Sequence, residues 1–424
     1  MKIDVPDSYE RMPLSDATRE MLLVFAAGDM ARPLPYLDVD WGEVFQAVSQ
    51  HGLLGLTHRY LEEWKSSGYP PEEFRGWVRE AYRRRAIRMA LMYREIGRVL
   101  SQLTESGLEY LVLKGPVLAQ RVYPDPGLRT FNDLDLLVRE RDWTVAHEAL
   151  VGMGFKSLEN LAQPPPKLVP QAVLYEQKYQ HPQGELWVEV HYGDLLNTGL
   201  ASRDVEGFWE RAERLELEGV PLCALSLTDQ LIHLCAHAHY HGYTRLNWFS
   251  DLAFLLRDHG ARISWPQLIE TVRREEAQVP VFYTLVFLQA LLGVPVPADV
   301  LCEIRPDAFR LWAHERFLPT DQVLSLNPMP RPDFGFYFLG LLRRLLPDLL
   351  VMGRRGDKLR YLLRLSIPPR EWLRYYYGLD DTSNLAIHYL LHPLKLMWHY
   401  LAEIAAALAR LGRRLVSGRD MAKR

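Results

Sequence analysis

The stretch Asn132-Asp-Leu-Asp-Leu-Leu-Val138 decides how this chain is read, because two acids alternate with leucines inside a short apolar run. Alternation of period two is the mark of a strand, and a strand places Asp133 and Asp135 on one face with Leu134 and Leu136 on the other. Two carboxylates held side by side are costly without a cation, and hard oxygen ligands of this kind suit Mg²⁺ held jointly with substrate phosphates. Upstream, Tyr110-Leu-Val-Leu113 reads as a strand closed by Lys114-Gly115, and Arg129 stands four residues before the first acid. Downstream, Leu186-Trp-Val-Glu-Val-His191 reads as a strand that puts Trp187, Glu189 and His191 on one face. Laid beside the Asp133 strand, it makes Glu189 a third carboxylate, able to hold a metal or to accept the proton of an attacking hydroxyl.

Helical windows at Val117–Tyr123 and Trp143–Met153 alternate with these strands, which predicts an α/β unit. Further strands are expected at Phe155–Leu158, Ala172–His181 and Glu185–Tyr192. A proline-rich loop spans Gln163–Pro170, and Pro182-Gln-Gly184 reads as a hairpin turn. From Ser15 to Ser106 the apolar residues keep helical spacing, ending in one long helix over Pro70–Ser106 whose Arg79, Arg83, Arg84, Arg85 and Arg88 read as a solvated face. Beyond Ser226 the helical period returns and continues to the end, broken at Gly260, Val294-Pro295, Pro328/Pro330/Pro332 and Pro368-Pro369. The expected fold class is α/β (α+β), a small mixed sheet flanked by helices. Its parts are a helical N-terminal region over 1–89, a core over 90–225, a helical domain over 226–375, and an apolar helix with a basic tail over 376–424.

The 424 residues carry 50 Lys+Arg against 53 Asp+Glu, a net charge of −3, and 48% are hydrophobic. That balance belongs to a folded chain and not to a disordered one, and it argues against a protein that coats nucleic acid. Cys223, Cys235 and Cys302 form no CxxC pair, which excludes a disulfide scaffold and a cysteine zinc ribbon and fits a reducing compartment. No secretory h-region and no uninterrupted apolar run of about 20 residues is visible, so a cytoplasmic location is expected.

Leu113-Lys-Gly115, Arg129-Thr-Phe-Asn-Asp-Leu-Asp-Leu-Leu-Val138, Val188-Glu-Val-His191 and Asp229-Gln-Leu-Ile-His-Leu-Cys-Ala-His237 resemble the bacterial uncharacterised nucleotidyltransferase family, within the DNA polymerase β-like superfamily. The resemblance covers roughly residues 90–260. It implies an enzyme of EC 2.7.7 type that moves a nucleoside monophosphate from an NTP, with ATP the expected nucleotide, to a hydroxyl of a small-molecule or protein acceptor. It further implies that Asp133 and Asp135 bind a pair of Mg²⁺ ions, that Glu189 completes the site, and that Lys114, Gly115 and Arg129 face the triphosphate. His191, His237 and His241 would line the substrate. Two departures stand out: Gly115 is followed by Pro116, which has no N–H for phosphate, and 18 positions separate Gly115 from Asp133.

Other readings come from other residues. His233 and His237 lie one helical turn apart and could chelate zinc, although the HExxH glutamate is absent because Leu234 follows His233. Asp251 would orient one of these histidines or cap a helix. A non-enzymatic, antitoxin-like interaction module on the same fold is the alternative of a different class. The three acids, repelling one another, predict that replacing any one by its amide leaves stability unchanged or higher. Finally, Asn384–Val416 is apolar and aromatic, and residues 405–424 hold six basic residues against Asp420, a pattern that fits peripheral contact with an anionic membrane surface.

Overall fold

The computed structural model describes residues 14–64, 68–157, 176–181, 184–196, 202–326, 349, 352–368, 370–380, 382–398 and 401–402. The chain divides into two compact units. The first comprises Met1–Asn160, Tyr175–Ala308 and Leu318–Met329, and the second Leu161–Leu174, Phe309–Phe317 and Pro330–Arg424.

The first unit begins with α1 (Asp16–Ala27), α2 (Trp41–Gln50), α3 (Leu54–Glu63) and the long α4 (Glu72–Glu105). Glu72 and Glu73 place negative charge against the positive end of α4, and Gly107 beyond its C-terminus takes the left-handed φ of 76° that closes such helices. Arg79, Arg84 and Arg88 pair with Glu62 and Glu72, with Glu80 and with Glu185 on an exposed surface, as a solvated face should.

The sheet follows, with β1 (Leu111–Val112), α5 (Pro116–Val122), β2 (Asp133–Leu137), α6 (Trp143–Gly152), β3 (Lys156–Ser157), β4 (Glu176–Gln180), β5 (Trp187–His191), α7 (Val205–Glu210), β6 (Glu213–Leu217) and β7 (Val220–Ala224). Among the described residues the spatial order is β3-β4-β5-β2-β1-β7-β6. β2 runs parallel to β5, and β1 parallel to β7, while the other neighbours are antiparallel. The α+β class is therefore observed. Residues 158–175 and 182–183, which include the proline-rich loop, the first part of the strand expected from Ala172 and most of the expected hairpin turn, lie outside the described residues.

The β6/β7 hairpin was not among the expected strands. Its signal is local nonetheless: Leu215 and Leu217 alternate with charged residues, and Glu218-Gly219 both take positive φ (51° and 77°), as the tight turn between twisted strands requires. One face of the sheet is apolar. Leu134, Leu136, Val138, Val188 and Val190 pack there with Ile96, Val99 and Leu100 of α4 and with Ala146 and Leu150 of α6. Burying that face leaves Asp133, Asp135, Glu189 and His191 on the opposite one, toward α8 (Leu227–Tyr240), which α9 (Leu246–His259) adjoins.

In the second unit, Leu373 and Leu385 are buried with Tyr377, Leu379 and Tyr389 packed around them. Residues 386–398 and 401–402 are helical, and Ile387, Leu390, Leu394, Met397, Trp398 and Leu401 are exposed at three- and four-residue spacing. The basic segment 405–424 lies outside the described residues. No helix among the described residues is long and apolar enough to cross a membrane.

Candidate active site

Parallel pairing of β2 with β5 sets Asp133 opposite Trp187, Asp135 opposite Glu189 and Leu137 opposite His191. Strands lie about 4.8 Å apart, so this register brings the Asp135 and Glu189 carboxylates together on one face. Asp135, Glu189 and His191 each offer a ligand atom, and the three atoms lie within 4.8 Å of one another. Asp133 sits one pleat away on the same face, at the partly exposed start of β2.

Asp135 is completely buried. Its Oδ1 accepts from Lys114 Nζ at 3.0 Å and lies 3.3 Å from His191 Nε2, while its Oδ2 is buried with no hydrogen-bond partner. Burial alone would raise this carboxyl, but the Lys114 ammonium and the His191 contact outweigh it and hold Asp135 well below the usual carboxylate range. Lys114 is the reciprocal case: burial works against its charge, and Asp135, Asp133 and Glu189 together keep its pKa above the ordinary value. Asp133 goes the other way, pushed up by burial and then by the neighbouring Asp135. Glu189 is ion-paired with Lys178, which β4 places directly opposite it.

Lys114 reaches this face because the chain turns sharply after β1. Gly115 has φ 61° and ψ −117°, a conformation open essentially to glycine alone, and a Cβ there would stand 3.1 Å from the Asp133 carbonyl oxygen. Pro116 then begins α5 at a position where its missing N–H is no loss. The Lys114 ammonium also donates to His237 Nδ1 at 3.3 Å, which assigns the proton of that ring to Nε2.

Arg129 stands beside the glycine turn and is engaged by a further acid. Its guanidinium forms a two-pronged pair with Asp251 of α9, Nε to Oδ1 at 2.8 Å and Nη2 to Oδ2 at 2.9 Å, and Nη1 donates to the Gly115 carbonyl at 3.3 Å. Tyr123 donates to the same Asp251 at 2.6 Å. Asp251 thus meets an arginine and a tyrosine, where a histidine or a helix cap was expected. Arg129 touches the glycine turn while its charge is matched by Asp251.

The histidines on α8 divide in role. His233 is buried and donates from Nδ1 to the Leu195 carbonyl at 2.7 Å, and burial together with the nearby Lys114 pushes its pKa down to about 4. His237, lowered well below its ordinary value by burial and Lys114, forms a ring cluster with His241 and Trp248, with centroids 4.5 and 5.4 Å from its own. His241 and Trp248 are 5.2 Å apart. The His233 and His237 rings stand 6.5 Å apart and engage different partners. Two participants were missed in the sequence. Lys178 lies in a strand recognised only as a strand, and Trp248 was seen beside Asp251 without a role.

The sequence model of the family described as "Uncharacterised nucleotidyltransferase" matches residues 38–293, wider than the 90–260 expected and inclusive of every side chain above. No curated protein and no solved structure matches the chain.

The two aspartates should respond in opposite senses to conversion to the amide. Asp135→Asn leaves the Lys114 ammonium buried without its partner and should destabilise by about 3–5 kcal/mol. Asp133→Asn relieves repulsion and should leave stability unchanged or higher, so equal losses in thermal melts of the two variants would contradict this electrostatic assignment. The lowered His233 adds a pH dependence. Between about pH 6.5 and 4 the unfolded chain binds a proton there that the folded chain refuses, so stability falls as pH drops through that window; Asp133, with its raised pKa, acts in the opposite sense at the acid end. Urea titrations across that window should show a slope smaller by up to about one proton in His233→Gln. An unchanged slope would mean that His233 is already protonated in the fold.

Proposed function

The chain belongs to the uncharacterised nucleotidyltransferase family, and from that premise we propose that it moves a nucleoside monophosphate from an NTP, ATP first among the candidates, to a hydroxyl of an acceptor that is not a nucleic acid. The observation that carries this reading is the in-register pairing of Asp135 with Glu189, with Asp133 one pleat away on the same face. The donor set fits a divalent cation: ligand atoms of Asp135, Glu189 and His191 converge on the face that Asp133 shares, and Asp135 Oδ2 is buried without a partner. Asp133, Asp135 and Glu189 would hold the metal. Two Mg²⁺ ions bound by such a set would neutralise charge on the attacking and leaving oxygens.

The protein's own residues supply positioning and charge. In the proposed transfer the acceptor oxygen bonds to the α-phosphorus as the bond to the pyrophosphate oxygen breaks, and the hydroxyl proton passes to Glu189. Lys114 supplies a fixed positive charge beside Asp135. Gly115, whose turn Arg129 braces through its carbonyl, lets the backbone approach the triphosphate closely, and Lys114 supplies charge where Pro116 withholds a donor. The wall of His237, His241 and Trp248 offers ring faces on which a nucleobase or an acceptor can stack. We place the catalytic core at residues 90–225 and relate the fold to the DNA polymerase β-like superfamily.

One observation favours the second reading, a non-enzymatic interaction module. Lys114 and Lys178 already pair with Asp135 and Glu189, as they would in a site that no longer takes metal. Incubation with each α-labelled NTP, a divalent cation and an acceptor pool separates the two. Transfer of label, reduced about a hundredfold or more in Asp135→Asn and in Glu189→Gln, supports the enzyme. Absence of labelled product with all four nucleotides, in protein that still melts cooperatively, would leave the module.

We further propose that the exposed stripe Leu390–Leu401 and the basic segment after it rest on an anionic membrane surface, which places the protein in the cytoplasm at the inner face of that membrane. The chain should float with phosphatidylserine vesicles and stay down with neutral ones, and Leu390→Asp/Leu394→Asp should abolish flotation. Wild-type protein that stays down with both would remove the membrane contact.

A further inference from the structure

The tightest group of ligand atoms in this site includes a histidine beside two of the three carboxylates. The ligand atoms gathered within 4.8 Å are those of Asp135, Glu189 and His191, two oxygens and one imidazole nitrogen, whereas Asp133 lies outside that group. His191 follows Glu189 by two residues in β5 and so shares its face, and the parallel register sets it opposite Leu137, one pleat beyond the Asp135–Glu189 pair. His191 is buried, and its Nε2 already lies 3.3 Å from Asp135 Oδ1, while the second oxygen of that carboxylate has no partner.

The donor chemistry matters for the identity of the ion. Mg²⁺ is held by oxygen ligands and keeps much of its water, whereas imidazole suits first-row transition ions. Building on the metal site of the proposed transferase, we infer that His191 is a direct ligand and that the site prefers a first-row transition dication, for which Mn²⁺ serves as the spectroscopic probe, over Mg²⁺. Asp135 contributes its unpartnered Oδ2, Glu189 one carboxylate oxygen, and His191 a ring nitrogen. The competing role for His191 is to orient Asp135 by hydrogen bonding, with oxygen ligands alone on the ion.

Mn²⁺ added to the full chain without nucleotide distinguishes these roles, because its electron spin echo reports a directly bound nitrogen. The wild type should show a ¹⁴N coupling that changes to ¹⁵N when the protein is grown on ¹⁵N-histidine, and half-displacement of Mn²⁺ should need at least about tenfold more Mg²⁺. His191→Gln should lose the coupling and bring the two ions within about threefold of each other. A wild-type spectrum without nitrogen coupling, or a Mn²⁺ to Mg²⁺ preference that His191→Gln leaves unchanged, overturns the inference. The isotope arm needs no variant, so a misfolded His191→Gln still leaves a decision. Nitrogen-coupled Mn²⁺ in a protein that transfers no nucleotide would retain the ion site and remove the transferase reading. Transfer supported equally by Mg²⁺, with no nitrogen coupling, would do the reverse.

Discussion

A carboxylate shut away from water, that of Asp135, ties the sheet of the first unit to the turn and the helix around it. An ionised carboxylate in such a place is tolerated only with a matched cation and hydrogen bonds. Lys114 provides the cation, and its side chain can arrive only because Gly115 turns the chain in a conformation that other residues resist. The lysine in turn needs an acceptor on its far side, and His237 supplies a neutral ring nitrogen because burial, joined by the lysine's own charge, keeps that ring unprotonated. Sheet, turn and covering helix are thus linked through one charge.

A second buried pair carries the linkage outward. Arg129, on the loop that leads into β2, is clamped by Asp251 of α9, while Tyr123 at the end of α5 closes on the same carboxylate. α9 is itself tied to the N-terminal helices, since Ser250 donates to the Ala26 carbonyl and the Asn247 amide to that of His51. Gly55 of α3 packs so closely on the Leu128 backbone that a Cβ would stand 2.2 Å from its carbonyl oxygen. The N-terminal helices therefore help to fix the loop that presents Asp133, consistent with a family match that begins at residue 38.

The charges on the acid face show why like residues two positions apart behave differently. Asp133, at the start of its strand, is pushed up by burial and by its repelling neighbour Asp135, while Asp135, more deeply buried still, has the lysine and its pKa falls. The expectation that all three acids would be relieved by an amide counted their mutual repulsion; it assigned Lys114 to the triphosphate and not to Asp135, and Lys178 had no assigned role. With those lysines included, the charge of Asp133 is disfavoured by burial and by Asp135, while that of Asp135 is favoured by its lysine.

The alternation in Asn132–Val138 and in Leu186–His191 determined by itself that these are strands, which side chains share a face, and that the acids oppose the apolar core, because side-chain direction in a strand follows from local geometry alone. The positions of Lys114, Gly115 and Glu189 near one another were legible on the same basis once the strands were taken as neighbours. The partners of the cations were decided by the tertiary structure. Arg129 stands beside the acids in sequence yet is matched by Asp251, 122 residues away, and Lys178 meets Glu189 because an antiparallel register aligns them. His191 in place of Asp133 within the tightest ligand group depends on the pairing of β2 with β5 and on where packing sets each side chain, which no local pattern encodes. Charge pairing is settled by whichever opposite group packing brings within a few ångströms, and packing joins segments that the sequence keeps far apart.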